Sequence, residues 1–151
     1  MTIDEQKLVL DPLWYELWMF NETSKYLVLL QSQENKKKEN NVYLESFLLH
    51  TRNIVHFLED RKYDSDIKCS DFGIEKVDVN LSPHNTINEI NLWLSHITKE
   101  RIEEKEKPQW EYLTIRKEVN RCFRVFLNRL PQNCFPSKKG KNKSDFEYLF
   151  N

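Results

Sequence analysis

Between Asp11 and Gln33, apolar side chains recur around nearly the whole circumference of a helix. Leu13, Leu17, Phe20, Leu27 and Val28 make one face, Trp14, Trp18 and Leu29 a second, and Tyr15, Met19, Tyr26 and Leu30 a third. A helix of this kind lies at the centre of a fold or is covered by another subunit. Helical periodicity recurs in three later segments, and 151 residues contain only 2 Gly and 5 Pro, so an all-α protein is expected.

Asp11 reads as an N-cap with Pro12 at the first helical position, which places the first helix from there to about Gln33. The second helix is expected over about Asn41 to Asp60, packing through Tyr43, Leu44, Phe47, Leu48, Thr51, Ile54, Val55 and Leu58. Ser82-Pro83 opens a third, with Thr86 and Glu89 in capping-box register and Ile87, Ile90, Trp93, Leu94 and Ile97 as its stripe. Pro108 opens and Pro131 ends a fourth, whose buried side is Tyr112, Ile115, Val119, Cys122, Phe123, Phe126 and Leu130. Short turns make helices one and two, and three and four, antiparallel hairpins.

The expected fold is therefore a four-helix up-and-down bundle over residues 1–136. A long connector, Arg61 to Leu81, joins helices two and three, and its length marks it as a functional or packing loop. Residues 137–151 read as a basic linker (Lys138, Lys139, Lys141, Lys143) followed by an aromatic end (Phe146, Tyr148, Leu149, Phe150) suited to docking on a groove.

A formal net charge of -1 gives no overall field for nucleic acid or for an anionic membrane, so any electrostatic partner must be read from local patches. Three cysteines without paired spacing suit a reducing cytoplasm. The charged start of the chain lacks the apolar core of a signal peptide, and no apolar run is long enough to cross a bilayer. A cytoplasmic protein with no membrane partner is expected.

The second helix carries an unusual polar insertion, His50-Thr51-Arg52-Asn53-Ile54-Val55-His56. Buried polar groups cost free energy unless they satisfy one another or face a cleft. Arg52 and His56 stand four apart and share one side of the helix. In a ribonuclease, an imidazole moves a proton to or from the ribose 2′-hydroxyl while a guanidinium stabilises charge on the phosphate. In the structural alternative, Arg52 pairs with Glu59 or a connector aspartate and His56 is a satisfied interface histidine. His50, on the opposite border of the core face, reads as a structural histidine bonded to a backbone carbonyl.

A partial echo follows at Ser95-His96-Ile97-Thr98-Lys99-Glu100-Arg101, where His96 flanks the stripe beside Trp93. Arg101 falls on the stripe and needs an anion, so Asp66 and Asp71 are expected to pair with it and anchor the connector. No His-x-x-x-His or Glu-x-x-His spacing is present, and neither a metal nor a cofactor is expected. Lys117, Arg121 and Arg124, with Arg116 and Arg129 at the edges, form a basic stripe suited to a phosphate backbone, or else the plain solvated face of an amphipathic helix.

The strings Leu48-Leu49-His50-Thr51-Arg52-Asn53-Ile54-Val55-His56-Phe57, Asp66-Ile67-Lys68-Cys69-Ser70-Asp71-Phe72 and Leu94-Ser95-His96-Ile97-Thr98-Lys99-Glu100-Arg101 occur in that order. Together they resemble a group of uncharacterised bacterial helical proteins with H-x-R-N, D-F and H-[LI]-T-x-x-R motifs. More loosely, Arg52-Asn53 followed by His56 resembles the Arg-Asn…His signature of HEPN domains, with a shorter spacing. That likeness implies an often dimeric helical bundle and, for many members, metal-independent RNA cleavage in bacterial defence or toxin–antitoxin systems. Arg52, Asn53 and His56, with His96, would then be the catalytic residues, and Lys117, Arg121 and Arg124 would bind nucleic acid. A homodimer through the apolar surface of the first two helices is expected, with RNA or a protein as partner. The alternative is a non-enzymatic immunity, antitoxin or adaptor module acting through its helical surface.

Overall fold

A computed structural model describes residues 1–31, 33, 36–61, 65–82, 86–94, 108–136 and 140–151. All regular structure among them is helical: α1 (Ile3–Leu30), α2 (Lys37–Leu58), α3 (Ile87–Leu94), α4 (Tyr112–Arg129) and α5 (Lys143–Tyr148), with 3₁₀ turns at Cys69–Phe72 and Gln132–Cys134. No described helix is long and apolar enough to cross a membrane.

The first helix begins two turns before Asp11. Thr2 and Glu5 form a capping box, in which Thr2 Oγ1 accepts from the Glu5 amide at 3.3 Å and the Glu5 carboxylate accepts from the Thr2 amide at 2.7 Å. Pro12 thus sits inside α1 rather than at its start. It has no N–H for the carbonyl of Leu8, and both residues are exposed, so water can take that acceptor.

Facing pairs define how the long helices run. Phe20 stacks on Phe47 and Tyr26 on Tyr43, so α1 and α2 are antiparallel neighbours. On its other side, α1 meets α4 with Asn21 against Asn120 and Gln31 against Tyr112, again antiparallel. The expected faces are buried: Phe47, Leu48, Thr51, Ile54, Val55 and Leu58 of α2, and Ile115, Val119, Cys122, Phe123 and Phe126 of α4. Thr86 and Glu89 make the expected capping box at the start of α3, but the turn to α4 lies outside the described residues.

The connector is packed rather than loose. Cys69, Phe72, Ile74, Val77 and Val79 are buried, and Phe72 meets Phe57 and Phe126 edge-on. The aromatic end joins the same core: Phe146 is fully buried against Phe123, Leu149 is buried, and Trp14 Nε1 donates to the carbonyl of Asp145 at 3.2 Å. Lys141 lies over the Trp14 ring, 3.6 Å from its centroid.

Candidate functional site

Two surface features gather the polar residues singled out above: a hollow at the end of α2 and a groove along α4.

The hollow exists because of how α2 stops. Asp60 adopts a left-handed backbone (φ 53°), and the amide of Arg61 then bonds back to the carbonyl of His56 at 2.9 Å. This Schellman closure folds Arg61 over the last turn and sends the connector back across it. Asn53, His56, Phe57, Arg61, Ser65, Asp66 and Ile67 line the resulting open cavity of about 370 Å³. His56, one of these lining residues, is half-buried with Nδ1 out of solvent. Arg61 pairs with Glu59, whose other oxygen accepts from the Val79 amide at 2.9 Å.

Arg52 stands one turn earlier on the same side of α2 but lines a different hollow, with Val42, Glu45, Ser46, Leu49 and Leu94. Asn53 and His56 thus line one hollow, and Arg52 lines the next. Among the described residues, Arg61 supplies the guanidinium that shares the cavity with His56. His96 lies outside the described residues, as does Arg101.

Glu16 of α1 organises the rest of this surface. Its Oε2 meets His50 Nδ1 at 2.7 Å and accepts from Asn53 Nδ2 at 3.2 Å. His50 is thus held by a side-chain carboxylate of the neighbouring helix, not by a backbone carbonyl, and Asn53 is tied to α1.

Of the expected anchors, Asp71 serves locally, its carboxylate capping the 3₁₀ turn by accepting from the Lys68 amide at 2.8 Å, while Asp66 lines the hollow. Other residues tether the connector to the helices: Gln6 to the Asp71 carbonyl, Asp60 to the Ser70 amide, Glu59 to Val79 and Glu118 to the Asn80 amide.

On α4, Lys117, Arg121 and Arg124 are all exposed. They floor an open groove of about 790 Å³, walled by Asn80 of the connector and Phe150 of the tail. The three cations are not equivalent. Arg121 donates twice to Glu118, both at 2.8 Å, and this pairing pulls the Glu118 carboxyl from its usual 4.5 to about 2. Arg124 stacks over Phe150, 4.5 Å from the ring centroid. Arg116, at the groove's inner edge, donates to Asn21 Oδ1 at 3.1 Å.

The cysteines lack the environment of nucleophiles. Burial, then the nearby carboxylates of Asp60 and Glu118, pushes the Cys69 and Cys122 thiols up to about 12, and burial also raises that of Cys134. Among the described residues, no three His, Cys, Asp or Glu side chains converge as a metal-ligand set.

Comparison of the chain with protein-family models, with curated proteins and with solved structures finds no match.

Arg61, Ser65 and Glu16 were missed as members of this surface. Glu16 carried a signal, an acid set among the apolar faces of α1. Arg61 and Ser65 carried none, because only the reversal at Asp60 brings them back to His56.

Proposed function

We propose that this protein binds RNA through the groove on α4, as a HEPN-like member of a bacterial defence or toxin–antitoxin system. In this reading it has a four-helix up-and-down frame, is cytoplasmic, and pairs through the apolar surface of α1 and α2. Exposed Leu8, Tyr15, Tyr26 and Leu29 on α1 and Val42 and Leu49 on α2 offer that surface. The observation that carries the reading is the open basic groove, in which Lys117, Arg121 and Arg124 lie together on a chain of net charge -1. Such a local cluster holds phosphates by releasing their counterions.

The cleaving form of this reading needs no metal. The ribose 2′-hydroxyl attacks the adjacent phosphorus, its proton passes to a base, and the departing 5′-oxygen receives one. His56 is the acid or base, and Arg52 or Arg61 stabilises the charged phosphorane.

A specific observation favours the second reading, a non-enzymatic interaction module. Arg52 and His56 line different hollows, and Asn53 is bonded to Glu16.

Fluorescence anisotropy with a labelled oligoribonucleotide, at about 50 and 200 mM salt, tests the binding. Lys117→Ala with Arg124→Ala should weaken binding and flatten the salt dependence by about 1 in log–log slope per cation removed. RNA that stays unbound at low salt overturns the reading. In EDTA, loss of cleavage in His56→Ala with an unchanged Tm supports the enzyme, and intact RNA with wild-type protein leaves the module.

A further inference from the structure

The basic groove does not end at Arg124. It continues past the Arg124–Phe150 stack into a second hollow of about 530 Å³ between α4 and α5. Arg124, Asn128 and Phe150 line both spaces, and the second adds Ser144, Glu147 and Tyr148. Tyr148 is 76% exposed, so its ring contributes little to the core, yet it lines the same hollow as a half-buried Phe150 already capped by a guanidinium.

The chemistry of the two spaces differs. In the first, Lys117 and Arg124 supply cationic donors, while Arg121 is already neutralised by Glu118. In the second, Glu147 would repel a phosphate. Its carboxylate accepts hydrogen bonds, as does the Ser144 hydroxyl, and exocyclic amines and ring N–H groups of nucleobases donate them. Flat aromatic and guanidinium surfaces stack on bases, which are available only when unpaired. A duplex buries its bases and would meet the groove with backbone alone.

Resting on the RNA-binding reading, we propose that the ligand is single-stranded RNA, with phosphates over Lys117 and Arg124 and an unpaired base seated between the Arg124–Phe150 stack and Tyr148, its edge toward Glu147. The axial rise of a helix puts Lys117 and Arg124 about 10 Å apart along α4, so the strand runs lengthwise toward the tail.

The test measures anisotropy of short fluorescein-labelled oligouridylate and oligoadenylate, each alone and annealed to its complement. Wild type is compared with Tyr148→Ala and Tyr148→Phe. Single strands should bind at least about tenfold more tightly than the duplex. Tyr148→Ala should weaken them about tenfold, the size of one lost base–aromatic stack, with Tyr148→Phe near wild type and the Tm unchanged in both. Equal or tighter duplex binding overturns the proposal, as does a silent Tyr148→Ala; in either case a loss in Lys117→Ala would leave the RNA-binding reading standing. Failure of every strand to bind at low salt ends both.

Discussion

Asn21 of α1 and Asn120 of α4 exchange two amide hydrogen bonds across the core, Nδ2 to Oδ1 in each direction, at 3.2 and 2.8 Å. Asn21 Nδ2 also donates to the Leu17 carbonyl, and its Oδ1 takes a second bond from Arg116, so the whole hydrogen-bonding capacity of the side chain is used at 1% exposure. A reciprocal pair of this kind is satisfied only when the two helices stand in one axial register. Asn21→Ala should cost about 2 kcal/mol, because the amide of Asn120 is left buried without its partner. Replacing both by leucine should recover much of that loss. A double-mutant cycle from denaturant unfolding checks this, and additive losses would show that the two act independently.

Glu118 ties three things together: the Asn80 amide, the Arg121 guanidinium and the Cys122 thiol. Its folded pKa, about 2, lies below the ordinary 4.5. The stabilisation is therefore complete above about pH 4.5 and is lost as the pH falls toward 2. Glu118→Gln should lower the Tm by a few degrees at neutral pH, and the difference from wild type should vanish near pH 2. A gap in Tm that stays constant across that range would refute the assignment.

Phe146 stands at the centre of the docked tail, fully buried and stacked on Phe123 with ring centroids 5.9 Å apart. Truncating it to alanine should remove about 3–5 kcal/mol. Limited proteolysis should then cut within residues 137–151 before the helices. A variant that keeps wild-type stability and resistance would show that the tail is not part of the core.

The three thiols should be unreactive in the folded protein. With Cys69 and Cys122 pushed to about 12, thiolate is scarce at pH 8, and burial blocks access besides. Alkylation by iodoacetamide at that pH should reach completion only in denaturant. Rapid labelling of any one of them in the native state would contradict the packing described.

Much of the helical architecture was legible because it depends on residues close in sequence. The stripes of α2 and α4 and the Thr86–Glu89 capping box each follow from side chains three or four positions apart. The start of α1 was not: Asp11–Pro12 reads as the start, yet the helix begins at the Thr2–Glu5 capping box, and that depends on what residues 3–10 can bury. Leu10 is fully buried, and Gln6 donates to the Asp71 carbonyl and accepts from Cys134 Sγ at 3.1 Å. Those partners lie more than 60 residues away in the chain.

The same division separates the basic stripe from the histidine surface. Lys117, Arg121 and Arg124 share a face by helical period alone and are all exposed, so sequence was enough to group them. Arg52 and His56 also share a side of their helix, yet Leu94 of α3 borders one and the returning connector borders the other. Periodicity within one helix is a property of its own backbone. Which hollow a side chain enters is set by distant segments laid against it, and only the tertiary structure decides that.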